Sequence, residues 1–392
     1  MATAFDHGHK DLVLAIDYNL YGNRMVTASS DHTLRVWDKE GDAWELMDSW
    51  KAHDAEVTDV KWNGPFSGEM LASIGEDGIF KVWEEDPLER PNSHKRFRRM
   101  YQLWSPTKVP FMSLDFKDIG ADTFVALITR DGYLMICEPV DSDDFRDWQV
   151  LTQMYVCPTP PRTDETSFRV SFHHEKLPGW HAIAAGLDRK SLGLAVAAMD
   201  KVIVYRTDRE RQLYIAAELL GARGLVRDVA WANGAMRGFD VIATASKDGA
   251  VRVYELTTPM RSESTPTSSE KDLDSPRTSS EIPRSKEQRR AQSGIGAGLA
   301  GSPQPNLTGQ GSSGDRSRIK HDVKLVSELH EHEGAVWRVG FSPMGDVLIS
   351  SGDDGKIRTW KRAFDASNGT AEWIEYSVVG TRPDEEETPY EE

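Results

Sequence analysis

The chain has 392 residues, of which 39% are hydrophobic and 28% charged, with a formal net charge of −16. That length suits one large or two ordinary domains, and the acidic balance argues against non-specific binding to nucleic acid, which needs an excess of basic charge. No apolar run approaches the roughly 18 residues of a membrane span. The opening MATAFDHGHKDLV carries neither the basic nor the apolar stretch of a secretory signal, so none is expected. Two cysteines, Cys137 and Cys157, are too few for a disulfide framework or a zinc site, and both are expected as buried free thiols.

Along the chain one unit recurs: an apolar run, a tight turn at Asp, and then alternating apolar residues that end, in most copies, on an aromatic. The copies are SSDHTLRVWD ending at Trp37, IGEDGIFKVWE at Trp83, TRDGYLMICE at Cys137, AAMDKVIVYR at Tyr205, SKDGAVRVYE at Tyr254 and GDDGKIRTWK at Trp360. Asp31, Asp77, Asp131, Asp248 and Asp354 stand six residues before the terminal position, and Asp200 stands five before it. Asp-Gly suits a hairpin turn that needs positive φ, and the alternation that follows suits a half-buried strand. Three copies also carry a histidine four residues before the first valine of an apolar run, at His9, His53 and His332. Together these features resemble the WD-repeat family, and the resemblance implies that each such histidine hydrogen-bonds the turn aspartate of its blade. Copies without the histidine are expected to be less tightly pinned.

Four strands per unit follow from the pattern. Blade one is expected at 12–18, 24–29, 33–38 and 44–50, and blade two at 57–62, 69–74, 79–84 and 98–104. Blades three to five then occupy 111–155, 168–219 and 226–329, and blade six 336–379. Six radial sheets make an all-β, six-bladed propeller. Blade five is interrupted, because Tyr254 and Trp360 are 106 residues apart and residues 258–320 are rich in Ser, Thr, Pro and Gly. A segment of that composition buries too little surface to offset its ordering entropy, so it is expected to be disordered. Register resumes where VKLVSELHEH (323–332) aligns with WELMDSWKAH (44–53), which puts the insertion between the third and fourth strands of blade five. The expected organisation is blades one to five in part over 1–257, the insertion over 258–320, the remainder of the propeller over 321–380 and an acidic tail over 381–392.

Several signals imitate chemistry. The turn aspartates repeat at one structural position rather than facing one site as an acid pair, so they are expected to be structural. His7 and His9, His173 and His174, and His330 and His332 lack the partners of a metal site. GIGAGLAG (294–301) follows no strand and opens no helix, so its context does not fit a nucleotide-binding loop. RFRR at 96–99 reads as a solvated strand edge. The sequons at Asn306 and Asn368 are expected to stay unmodified. Ser/Thr-Pro pairs at Thr265, Ser275 and Ser302 offer possible phosphorylation sites in the insertion. No nucleophile, general base or cofactor site is evident, and none of these functions is expected.

HKDLVLAIDYNLYGNRMVTASSDHTLRVWDK (9–39), SWKAHDAEV (49–57) and VWRVGFSPMGDVLISSGDDGKIRTWK (336–361) resemble the Seh-type nucleoporins, siblings of the Sec-thirteen propellers of the COPII vesicle coat. The resemblance spans the chain apart from the insertion and the tail, and SSGDDG at 350–355 leans toward the nucleoporins. It implies a non-enzymatic subunit of the Y-shaped nuclear pore coat, active in pore assembly and nucleocytoplasmic transport. The implied partner is a helical nucleoporin of about eighty-five kilodaltons that donates a β-blade. It also implies a second role in the SEA or GATOR complex that regulates the TOR kinase at the vacuolar or lysosomal surface. Two rival classes fit less well. A ubiquitin-ligase receptor needs Arg two residues after the Trp-Asp pair, where this chain has Lys39 and Glu40 after Trp37-Asp38. A propeller hydrolase needs the acid pair.

Ring closure points the same way. Few residues precede His9, and WIEYSVV (373–379) already supplies blade six with a fourth strand, which leaves no place for an N-terminal latch. An open junction between blades one and six is therefore expected, with Leu12, Val13, Ile16 and Tyr18 on one side of the donated blade and Val336, Val339 and Phe341 on the other.

Overall fold

The computed structural model describes residues 6–64, 70–234, 238–259, 318–365 and 370–380. Six antiparallel four-stranded sheets follow one another along it, each running in order from its first strand to its fourth. Blade one comprises β1 (Val13–Tyr18), β2 (Arg24–Ser29), β3 (Thr33–Glu40) and β4 (Ala43–Lys51), and blade two β5 (Val57–Trp62), β6 (Met70–Gly75), β7 (Ile79–Glu85) and β8 (Phe97–Trp104). Blade three comprises β9 (Phe111–Ile119), β10 (Asp122–Thr129), β11 (Tyr133–Asp141) and β12 (Asp144–Tyr155). Blade four comprises β13 (Phe168–Phe172), β14 (Gly193–Ala198), β15 (Lys201–Thr207) and β16 (Leu213–Leu219), with a short helix, α1 (Trp180–Ala184), after its first strand. Blade five comprises β17 (Val226–Trp231), β18 (Asp240–Ser246), β19 (Val251–Thr257) and β20 (Asp322–Leu329), and blade six β21 (Val336–Phe341), β22 (Val347–Gly352), β23 (Lys356–Asp365) and β24 (Thr370–Gly380).

The turn chemistry explains the repeat. Gly78 and Gly355 take φ of +74° and +65° one residue after their aspartates, a conformation that costs a glycine little. Blade one has His32 there, at φ +71°. Blade four shortens the turn to Met199 and Asp200 between the paired residues Ala198 and Lys201, which is why its aspartate stands one residue nearer the aromatic. The first strands of blades one, two, five and six share a bulge near their start, at Val13/Ala15, Val57/Asp59, Val226/Asp228 and Val336/Arg338. A bulge inserts one residue and shifts the side-chain alternation beyond it.

The core lies between successive sheets. Val26, Leu34 and Val36 of blade one meet Val60, Leu71 and Trp83 of blade two, and Trp50 stacks on Phe97 with ring centroids 4.6 Å apart. Val251 and Val253 of blade five meet Leu348, Trp360 and Trp373 of blade six. Inner strands are also stapled across blades: Asp17 accepts the Trp62 N–H at 2.7 Å, Asp115 that of Phe172 at 2.7 Å, and Asp228 that of Val339 at 3.1 Å.

The insertion falls between β19 and β20. Residues 260–317, with Thr265, Ser275 and Ser302, lie outside the described residues, as does the acidic tail. Residues 318–320, counted with the insertion on composition, already belong to the packed structure. Arg318 pairs with Asp208 at 3.2 Å, and Ile319 is buried against Ala182 and Leu187. Blade six owns its fourth strand, β24, which pairs with β23 along its length. Cys137 is buried as expected, whereas Cys157 is half-buried. Within the RFRR stretch Arg96 meets Glu85 at 2.5 Å, Arg98 meets Asp86 at 2.5 Å, Phe97 is buried and Arg99 is exposed on the outer strand. No helix among the described residues is long and apolar enough to cross a membrane.

Candidate functional site

In three blades the turn aspartate anchors a four-membered network. His53 Nδ1 lies 2.9 Å from Asp77, His53 Nε2 lies 2.8 Å from Ser73 Oγ, and Trp83 Nε1 donates to the same oxygen at 2.9 Å. His9, Asp31, Thr27 and Trp37 repeat this in blade one, and His332, Asp354, Ser350 and Trp360 in blade six. The indole N–H donates to the hydroxyl oxygen, and the network of His9 and of His53 is fully satisfied when the hydroxyl proton goes to Nε2 and Nδ1–H donates to the carboxylate, the pattern of a neutral imidazole. Burial lowers the pKa of His9 and His53 despite the opposing pull of Asp31 and Asp77. Burial opposes ionisation of Asp77 too, but the His53 hydrogen bond and the Asp54 and Ile79 N–H groups outweigh it and leave its pKa lowered. The hydroxyl member was not evident from the sequence, although its spacing is constant: Thr27, Ser73 and Ser350 each stand ten residues before their tryptophan.

Blades without the histidine are not uniformly looser. In blade five the fully buried Arg252 reaches Asp248 at 2.8 Å and Glu328 of the fourth strand at 2.7 Å, so one guanidinium ties the turn to the outer strand. Burial disfavours the Asp248 carboxylate, but Arg252 and the backbone N–H groups of Arg223 and Ala250 hold its pKa at about 2. In blade three Asp131 receives the hydroxyls of Thr129, Thr107 and Tyr155, and no histidine or arginine is among these partners. In blade four Asp200 is exposed at the turn tip.

These networks are repeated structure. The junction of blades six and one is the feature that occurs once. A cavity of about 630 Å³ opens at this junction, with Val13, Ile16 and Tyr18 on one wall and Arg338, Ile349 and Ile357 on the other, and it reaches Asp59 and Lys61 of blade two and Asp228 of blade five at its inner end. Ile16 and Tyr18 are each 51% exposed, Ile357 is 47% and Ile349 41%. Among the described residues, one inner-strand hydrogen bond crosses it, from Arg338 Nη2 to the Leu14 carbonyl at 3.1 Å. Leu12 is more exposed still and Val13 is half-buried.

Of the blade-six residues expected at this junction, Val339 and Phe341 border the cavity, but the side chains of all three pack toward blade five. Val336 and Val339 are buried among Val253, Leu348 and Trp360, and Phe341 packs edge-on to Trp373. The bulge at Val336/Arg338 is the cause, since it puts Val336, Val339 and Phe341 together on the side of blade five. The wall that faces blade one is built from β22, β23 and β24 instead, by Ile349, Ile357, Ile374 and Val379. Among the described residues no cluster of three or more His, Cys, Asp or Glu is placed to hold a metal ion.

Comparison with known proteins agrees with this architecture. The family model for the WD domain, G-beta repeat, matches residues 3–38, 44–84 and 323–361. The chain is 31% identical over 374 residues to Nucleoporin SEH1 of Saccharomyces cerevisiae, covering 92% of this chain and 95% of the relative. It is 28% identical over 513 residues to Nucleoporin SEH1 of Chaetomium thermophilum, with 96% and 95% covered. Nucleoporin SEH1 of Homo sapiens is 30% identical over 366 residues, with 91% and 83% covered. A propeller of six complete blades and near full-length similarity to fungal and animal proteins of one name lead to one assignment: the chain belongs to the Nucleoporin SEH1 family.

Proposed function

We propose that this propeller is a non-enzymatic scaffold subunit of the nuclear pore coat, and that its junction between blades six and one receives a β-blade from a helical nucleoporin. What carries the reading is the pairing of two exposed apolar walls, Ile16 and Tyr18 against Ile349 and Ile357, across a cleft that one inner-strand hydrogen bond spans among the described residues. Exposed apolar sheet faces and edges are hazards that proteins cover. Added strands cover them through backbone hydrogen bonds and buried flanks. Family membership supports the placement in the pore, where the subunit contributes to assembly and transport.

Lysine cross-linking of the complex purified from native extract tests this. Cross-links to one helical nucleoporin should concentrate at Lys10 and Lys39 of blade one and at Lys356 and Lys361 of blade six. A pattern centred on Lys190 and Lys201 of blade four would place the partner elsewhere and overturn the reading.

A further inference from the structure

The filled interfaces share an electrostatic device. The residue after the terminal position of each third strand reaches toward the next blade. Glu138 of blade three meets Arg211 of blade four at 3.4 Å, Arg206 of blade four meets Asp240 of blade five at 2.7 Å, and Glu255 of blade five meets Arg362 of blade six at 2.5 Å. Asp38 of blade one takes Arg24 at 2.7 Å, and the same guanidinium reaches Glu85 of blade two at 2.5 Å. Glu84 of blade two is the exception: it is exposed and makes no ion pair among the described residues.

Blade six breaks this device: like blade four it carries a base at this position, but one without an acidic partner among the described residues. Its corresponding residue is Lys361, which alternates with Ile357 and Thr359 along β23 and so shares the face turned to the cleft. Its ammonium stacks over Tyr376 of the same blade at 3.6 Å and pairs with no carboxylate among the described residues. The opposite wall has no acid to offer at this level. The receiving position that Glu85 and Arg362 fill in blades two and six, two residues after the aromatic, is Lys39 in blade one, and it is exposed. Closing blade six directly onto blade one would set two ammonium groups against each other.

The inner end of the cleft departs from its neighbour as well. Two residues after the valine that opens the bulge, blade five has Asp228, whose carboxylate accepts the Val339 N–H of its neighbour. Blade six has Arg338 at that position. A wall that ought to repeat Asp228 and Glu255 presents Arg338 and Lys361, with Ile349 and Ile357 between them.

We infer that the segment filling this cleft is acidic at both ends as well as apolar in its middle. Its carboxylates meet Arg338 at the inner end and Lys361 at the outer end, and its aliphatic side chains cover Ile16, Ile349 and Ile357. The inference rests on the docking reading above and adds the partner's chemistry to it. Cations held at the edge of an interface steer association and reject like-charged partners, because a buried unpaired charge is costly. The reversal thus selects an acidic strand and disfavours closure of the ring on itself.

Two synthetic β-hairpins test it on the full chain. Both have alternating Val and Thr strands joined by Asn-Gly, one with glutamates at the strand ends and the other with lysines there. The glutamate hairpin should bind at least tenfold more tightly than the lysine hairpin and should protect the amides of β1 and β22 from exchange. Lys361→Glu should abolish or reverse that preference and Lys361→Arg should keep it. Both variants should melt as the parent does, because the Lys361 ammonium pairs with no carboxylate among the described residues and lies over the partly exposed Tyr376 ring. If the lysine hairpin binds the cleft as tightly as the glutamate one, the acidic assignment is wrong while docking at the cleft stands. If neither hairpin protects β1 or β22, docking at the cleft fails, and this inference with it.

Discussion

Blades five and six meet across a filled interface, whereas blades six and one meet across an open one, although similar sheets form both. At the filled interface Trp360 is fully buried, Val336 and Val339 interlock with Val253, and Asp228 and Glu255 bind across the boundary. At the open one Ile349 and Ile357 face Ile16 and Tyr18 without burying them, and Arg338 supplies the one inner-strand hydrogen bond among the described residues. Hydrophobic residues on both walls are therefore not sufficient to close a ring. The closed interface also has complementary charge at its inner and outer ends, and the open one has basic groups there.

The largest effect should come from the core of the closed interface. Trp360→Ala should cost about 3–5 kcal/mol in denaturant unfolding, since it leaves a large cavity and removes the indole N–H donor from Ser350 Oγ. Ile357→Ala, on the open wall, should stay within about 0.5 kcal/mol in the free chain. Similar losses for the two would mean that the free ring is closed after all.

Next come the turn aspartates. Asp77→Ala and Asp248→Ala should each cost about 1.5–3 kcal/mol, because each strips a charged acceptor from a buried histidine or arginine. Asp131→Ala should cost less, as the hydroxyls of Thr129, Thr107 and Tyr155 lose a partner there and no buried cation does. Equal denaturant midpoints for Asp77→Ala and Asp131→Ala would break this ranking.

Acid should act through the same networks. His9 and His53 have pKa values below the ordinary histidine value, so the unfolded chain binds more protons than the folded one as pH falls. Their contribution is intact above the unfolded-state value near 6.5 and declines below it. Denaturant midpoints should therefore fall between pH 7.5 and 5.5, and His53→Asn should flatten that slope while lowering stability at pH 7.5. A slope unaffected by the substitution would remove His53 from the account.

The smallest effect is expected from the insertion. Replacing residues 260–317 by a short Gly-Ser bridge should move the melting temperature by about two degrees or less, since loop closure depends weakly on length. A drop of about ten degrees would show that the segment supports blade five.

Much of this was legible in the sequence, because alternation and the aspartate turn are local signals. All six sheets and the break in blade five follow from them. The orientation of Val336, Val339 and Phe341 was not, because a bulge shifts side-chain parity by one residue and has no sequence mark of its own. Arg252 went unrecognised because it replaces a histidine from the opposite end of the hairpin, four residues after the aspartate it binds. The hydroxyls of Thr27, Ser73 and Ser350 keep a fixed spacing, but serine and threonine are common enough that only contact with the histidine and tryptophan singles them out. Lys361, like Arg206 after Tyr205, departs from the acidic residues after Trp37, Trp83, Cys137 and Tyr254, yet its meaning required knowing which face it occupies and that no acid among the described residues meets it.

Hydrogen exchange on the chain, free and then bound to the helical nucleoporin recovered by cross-linking, tests the open junction most directly. In the free chain the amides of β1 and of the outer strands of blade six should exchange faster than their counterparts in blades two to five. Binding should add protection at β1 and β21 to β24 and little elsewhere. Protection gained mainly in blades three and four, or a free chain in which β1 and blade six are already as protected as the other blades, would contradict an open ring completed by its partner.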